Sequence, residues 1–288
     1  MLYLYITHIM KQNPPQTLEI ITRLIFAILQ SKGRLGKSWT LLLLASWLDR
    51  HGINWTGYDL DDAHRSFSKR YPDVKELTIT DEITGRDEIL KIFRTALSGA
   101  VPVSLSDTRA QLAPFILDTI ERTQCYRLAA EKSVRLTALV FPADDDDSLR
   151  SLVEGMQRTG TQVDYLAVLN PALYSSRRYD GSPLQKTLLS AGAQEITIPP
   201  LMESTRRAIA RAEAQCGNAL SFPAALEYLK DFAKADLEFF LSSSFQQFDR
   251  VAKLLLPSAE ALKISFSNPV AKEQGKPFTS VGINLNDE

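Results

Sequence analysis

The sequence predicts an α/β fold: a mostly parallel, doubly wound sheet with helices on both faces, followed by a C-terminal helical extension. Three observations predict it. From Arg23 onward, short apolar runs alternate with helical patterns, which is how parallel strands joined by crossover helices read. The runs are rich in branched residues and read as strands buried on both faces. Hydrophobic residues make up 44% of the 288, enough for a sizeable core.

Taken in order, "RLIFAILQ" (23–30) is the first strand. "KSWTLLLLASWLDRHG" (37–52) is a helix with a glycine stop. "INWTGYDLDD" (53–62) is a second strand ending in acids. "GRDEILKIFRTALSG" (85–99) is a helix between glycines, and "AVPVSLSD" (100–107) a third strand ending in an acid. "LAPFILDTIERTQCYRLAAEKS" (112–133) reads as one long helix. "VRLTALVFPAD" (134–144) is a strand. "DDSLRSLVEGMQRTG" (146–160) is a helix with acids where the dipole favours them. "VDYLAVLNP" (163–171), "SPLQKTLLSAG" (182–192) and "AQEITIPP" (193–200) are strand, helix and strand. "MESTRRAIARAEAQ" (202–215) and the residues to about 258 read as helices. The boundaries expected are an N-terminal appendage at 1–22, a main domain at 23–215, helices packed on it at 216–262 and a loose polar tail at 263–288.

The formal charge of −1 excludes a global basic field, so any nucleic-acid contact must come from a local patch. Cys125 and Cys216 lack metal-ligand spacing and are expected to be reduced and buried in a cytoplasmic protein. The N-terminal "MLYLYITHIM" has no basic leader region and no cleavage site, so it does not read as a signal peptide, and Met10 is a second candidate start. No apolar run is long enough to span a bilayer, and no short basic amphipathic anchor is evident. His8, His51 and His64 show no ligand spacing and read as surface residues. Trp39 and Trp47 read as core or groove-facing. The acid run at 143–147 reads as a solvated helix start.

Ligands of such sheets bind at the carboxyl ends of the strands. That directs attention to residues 31–38, 59–62, 107–109 and 170–171. The first of these is the most informative. "SKGRLGKS" joins an apolar strand to an apolar helix and holds three cations. Gly33 and Gly36 permit close backbone approach, and the new helix adds its positive end. Lys37 supplies a charge to phosphates and Ser38 a hydroxyl to Mg2+. A full Walker A pattern needs glycine where Ser31 stands.

This stretch resembles the deviant Walker A motif of ParA/MinD-type P-loop ATPases, whose mark is a second lysine near the loop start, here Lys32. The resemblance runs from about Arg23 to Arg211. "YDLDD" is similar to the family's switch I segment, which makes Asp61 the water-positioning acid, with Asp62 its rival. "VSLSDT" is similar to the Walker B strand, which places Asp107 near Mg2+. "VLNP" and "ITIPP" are similar to the strand ends whose asparagine and proline meet adenine, here Asn170 and Pro199. Two departures stand out: Arg34 replaces a usual glycine, and Asp62 and Ala63 replace a common Pro-Gln. Within that family the chain also resembles small plasmid-stability and transfer proteins of the StbB and TraL sort.

The resemblance implies a SIMIBI-type P-loop fold binding ATP and Mg2+. The loop Gly33, Arg34, Leu35, Gly36, Lys37, Ser38 and Trp39 would surround the phosphates, with Lys32, Lys37, Asp61 and Asp107 catalytic. It implies a bacterial, cytoplasmic ATPase that forms a homodimer on binding ATP and acts in DNA partition, positioning or conjugative transfer. Arg206, Arg207 and Arg211 form a candidate patch for non-specific DNA; a DNA-bound partner protein is the other expectation. Two alternatives stand: a metabolic P-loop enzyme, and a nucleotide-binding pseudo-ATPase that serves assembly.

Overall fold

A computed structural model describes residues 19–26, 30, 33–143, 146–171 and 179–267. Among them seven strands form one sheet: β1 (Thr22–Phe26), β2 (Trp55–Asp59), β3 (Lys75–Glu76), β4 (Val103–Asp107), β5 (Val134–Val140), β6 (Val163–Leu169) and β7 (Gln194–Thr197). Their order is β3-β2-β4-β1-β5-β6-β7, and every pairing is parallel. This is the expected fold class.

The period-two alternation of strand side chains splits the core into two layers. Ile25, Leu105 and Val168 point to one face, which is covered by α1 (Lys37–Arg50) and by the later helices α7 (Glu203–Cys216), α8 (Phe222–Tyr228) and α9 (Asp231–Arg250). Leu24, Phe26 and Leu136 point to the other face. That face is covered by α2 (Glu82–Leu97), α3 (Ala113–Arg122), α4 (Cys125–Glu131), α5 (Asp146–Thr159) and α6 (Pro183–Ser190). α1 is rich in strong helix formers and buries an unbroken run from Leu41 to Leu48. Its Trp47 is fully buried, and complete burial of a large apolar side chain is worth about 1.5–3 kcal/mol.

The chain leaves β1 for one face, through α1, and leaves the neighbouring β4 for the opposite face, through α3. Connections that part in this way open a crevice at the carboxyl ends of the two strands. The fold therefore places residues 33–38 and Asp107 side by side.

Several local expectations are corrected. The helix at 85–99 starts earlier, at Glu82, because the Asp81 carboxylate accepts from the N–H groups of Ile83 and Thr84 at 2.8 and 3.0 Å and caps it. The single helix at 112–133 is two, because Gln124 adopts φ +53 and turns the chain between α3 and α4. The edge strand β3 was not expected. Thr22, assigned to the appendage, is buried in β1. At the other end, α11 (Ser258–Ser267) continues helical past position 262, after the short α10 (Ala252–Leu255).

Cys125 is buried, but Cys216 is partly exposed at the end of α7. His64 is exposed. His51 is not simply a surface residue: its Nε2 lies 3.2 Å from an Asp249 carboxylate oxygen that also accepts from Trp47 Nε1 at 2.8 Å. His8 lies outside the described residues. Asp146 and Asp147 stand in the first turn of α5.

Arg23 fastens the last helices to the sheet. Although on β1, it is 2% exposed. Its guanidinium donates to the carbonyls of Leu256 and Lys253 and pairs with Asp164 on β6, which Arg135 also holds. Burial pulls the Arg23 pKa down and Asp164 supports its charge. The Thr137 hydroxyl adds a bond to the Leu254 carbonyl.

Candidate functional site

The site is built where β1, β2, β4 and β6 end. Gly36 caps α1 with φ +93, a left-handed conformation that suits glycine. Arg34, two residues earlier, holds φ +62. The non-glycine residue thus adopts the backbone shape that the usual glycine would favour, so the loop keeps its form at the cost of some strain. Gly33 and Arg34 are exposed, while Leu35 is buried and anchors the loop in the core. Lys32 and Ser31 lie outside the described residues.

Lys37 opens α1 and is 7% exposed. Its Nζ donates to the Gln30 carbonyl at 3.0 Å. Gln30 itself is fixed by a reciprocal pair. Its Nε2 donates to the Phe141 carbonyl at 2.8 Å and to Ser148 Oγ at 3.0 Å, and its Oε1 accepts from Phe141 N–H at 2.7 Å. Burial holds the Lys37 pKa down to about 8, against the pull of Asp107 and Asp61. Asp107, at the end of β4, is 1% exposed. Burial pushes its carboxyl up to about 7, and Asp59 and Asp61 push the same way. The Ser38 hydroxyl and Lys37 oppose them. Neither Asp107 oxygen completes a hydrogen bond of ordinary geometry. The Ser38 hydroxyl therefore supplies a favourable dipole rather than a full partner.

The two acids ending β2 have separate roles. Asp59, fully buried, accepts from the N–H groups of Asp61, Phe67 and Ser68 at 3.0–3.1 Å and so pins the following loop. Asp61 is half-buried and within electrostatic reach of Lys37 and Asp107. Its Oδ1 accepts from the N–H groups of Ala63 and His64 at 3.2 and 3.3 Å. Asp62 turns away to Arg109, whose Nη1 donates to it at 2.7 Å.

From β6, Asn170 reaches the same loop. Its Nδ2 lies 3.5 Å from the position a Cβ on Gly36 would take. Pro199 is half-buried just past β7, beside Ile198, whose N–H donates to the Leu169 carbonyl at 3.0 Å. Trp39 packs its ring on Phe222 of α8, with centroids 4.7 Å apart, and on Phe240 of α9. Its ring is thus committed to the C-terminal helices. Trp47 is core.

Arg206, Arg207 and Arg211 are exposed on α7, remote in sequence from this crevice. Glu203 pairs with both Arg206 and Arg207, at 2.8 and 3.1 Å. A concavity of about 530 Å³ there is lined by Ser204, Arg207, Ala210 and Arg211. It contains none of the residues that meet around Lys37, where the perturbed groups converge.

Sequence reasoning named Lys37, Ser38, Asp61, Asp107 and Asn170, and the structure brings them to one end of the sheet. It singled out 59–62 without giving Asp59 a role, and it missed Gln30; both act as struts. Asp59 is an acid at a strand end and Gln30 an ordinary polar residue beyond β1, so only position gave a signal.

The residues present fit a divalent cation. Asp107 offers two orphaned oxygens, Ser38 a nearby hydroxyl, and Asp59 and Asp61 bring further negative charge. No protein-only cage of three or more ligands exists among the described residues, as suits Mg2+ held by one or two protein groups plus phosphate and water.

No protein-family model and no curated protein matches the chain. Among solved structures, it is similar to a chain of the MinC:MinD cell division protein complex of Aquifex aeolicus. Identity is 12%, coverage is 82% of this chain and 98% of that one, and the TM-score is 0.44. At those values the likeness carries no argument about function.

Proposed function

We propose that the chain is an ATP-binding, slowly hydrolysing dimerisation switch of the ParA/MinD type, acting in DNA partition, positioning or conjugative transfer. One observation carries the reading. A buried lysine at the first position of α1 faces a buried carboxylate at the end of β4, across a crevice at the centre of a parallel sheet. Both Asp107 oxygens lack a hydrogen-bond partner, and burial presses both groups towards neutrality, so the pair is poised for a ligand that brings charge of its own.

On this reading the loop N–H groups and Lys37 neutralise the phosphates. Asn170 and Pro199 flank the base. Ser38 and Asp107 hold Mg2+, which when bound offsets phosphate charge during transfer. Asp61 orients the attacking water. Its carboxylate oxygen already tied to two N–H groups suits positioning better than strong proton abstraction, in keeping with slow turnover. Residues 23–215 form the nucleotide domain, with 216–262 packed on it. The α7 arginines are a candidate DNA surface.

The second reading, a pseudo-ATPase, draws on Arg34: its strained left-handed backbone places a bulky cation in the phosphate loop. Calorimetric titration with Mg·ATP and turnover measurement separate the two. The switch reading expects binding that Lys37→Ala abolishes, with slow hydrolysis in the unaltered chain. Unchanged affinity in Lys37→Ala would refute the phosphate-loop assignment.

A further inference from the structure

We propose that Arg109 senses the terminal phosphate of a bound nucleoside triphosphate by leaving Asp62 for it, so that the Asp62–Arg109 pair is a latch beside the crevice. The inference rests on the nucleotide-binding reading above and deepens it.

The latch joins the loops after β2 and β4, on one side of the crevice. β2 and β4 are adjacent and pair Asp59 with Asp107. Asp62 and Arg109 lie three and two residues beyond that pair, one in each loop. Their contact is a single 2.7 Å hydrogen bond, and both side chains are about one-third exposed, at 35% and 38%. A one-point pair at that exposure contributes little and exchanges easily.

The guanidinium is also poorly used. It has five N–H donors. Asp62 takes one, and the Nε donor is buried with no partner. A buried donor left unmatched is costly. A phosphate, which accepts guanidinium two bonds at a time, is a better partner than a carboxylate held at one point.

The neighbouring Arg65 is differently placed. It donates to the carbonyls of Asp59 and Leu77 and to the Thr78 hydroxyl, and lies near Glu76. It is a strut for β3 and is committed there. Asp61 and Asp107 lie within electrostatic reach of Lys37. Lys37 is fixed on its own loop. Arg109 is a cation held weakly enough to move, and its release removes a side-chain tie between the loop after β2 and the loop after β4. A diphosphate offers no terminal group at that place and leaves the latch closed.

The test is calorimetric titration with Mg2+ plus either a non-hydrolysable ATP analogue or ADP. It uses the full chain, Arg109→Ala, Asp62→Ala and the double variant, with melting curves to confirm folding. Arg109→Ala should weaken the triphosphate analogue about tenfold while leaving ADP within about twofold. Asp62→Ala should tighten the analogue about threefold, because the competing partner is gone, with ADP unchanged. The double variant should follow Arg109→Ala. If both single variants weaken both nucleotides in parallel, the pair is a structural strut and the latch is overturned. Equal analogue affinity in all four proteins overturns it too. If the unaltered chain binds neither nucleotide, the nucleotide reading itself falls and the latch falls with it.

Discussion

The Asn170 side-chain amide sits 3.5 Å from where a Cβ on Gly36 would stand, so the end of β6 abuts the cap of α1. That spacing is ordinary van der Waals contact, which means a methyl group fits. The obstacle to a side chain at position 36 is the backbone, at φ +93.

Gly36→Ala is therefore expected to cost about 1–2 kcal/mol through strain rather than collision. At this chain length that lowers the melting temperature by about 2–3 °C. Arg34→Gly should do the reverse to a smaller extent, since it relieves the left-handed strain at φ +62 while adding freedom to the unfolded chain. Thermal melts of both variants check the pair. A Gly36→Ala protein as stable as the parent would show that the cap is not strained.

The buried charges set a pH profile for the free protein. Asp107 holds its proton to about pH 7 when folded, against 3.8 as the ordinary value. Folding thus takes up a proton between those values, and stability falls as pH rises through that window. Lys37 loses its proton near 8 when folded, against 10.5. There the unfolded chain holds the proton more tightly, so stability is regained as pH rises from about 8 towards 10.5. The minimum lies between 7 and 8. Asp107→Asn should add about 1–2 kcal/mol at pH 7.5 and little at pH 4, measured by urea unfolding. Mg2+ should then stabilise the parent and not the variant. An equal gain at both pH values would mean the carboxylate is not strained.

On α7, Glu203 already neutralises part of the arginine patch by pairing with Arg206 and Arg207. Glu203→Gln should tighten binding of a random DNA duplex in the presence of ATP. Replacing Arg207 and Arg211 with alanine should weaken it uniformly across sequences and reduce the salt slope by about 2. If the parent binds no DNA at low salt, these arginines are a solvated face, and a protein partner replaces DNA in the proposal.

Much of this was legible in one dimension because it is local. The order of strands and helices follows from apolar runs, and Lys37, Ser38 and Asp107 follow from being at strand ends. What escaped depends on contacts between distant residues. β3 is two polar residues that carry no strand pattern, and it exists because the Leu77 N–H donates to the Asp59 carbonyl and Arg65 bridges the segment. Arg23 reads as a strand's polar first residue. Its partners at 164 and 253–256 are what bury it. The break at Gln124 carries no glycine or proline to announce it.

Lys32 remains the residue that most distinguishes this loop, and it lies outside the described residues, so its role rests on its place in the sequence and on what its neighbours do. Lys37 is engaged within its own loop through the Gln30 carbonyl and faces Asp107, which makes it the lysine for its own nucleotide. A second cation at the other end of the loop is then available to the phosphate of a facing copy. Such a contact exists only in the dimer, so it ties ATP to association rather than to binding. A charge-assisted bond contributes about 1.5–3 kcal/mol. Two related by a twofold axis shift a dimer constant by about a hundredfold or more. Lys32→Ala is expected to bind ATP near the parent affinity yet stay monomeric in Mg·ATP, read by light scattering after size exclusion. An ATP-bound Lys32→Ala dimer as tight as the parent's would rule out the trans contact, and a parent that stays monomeric in ATP would remove the dimerising switch altogether.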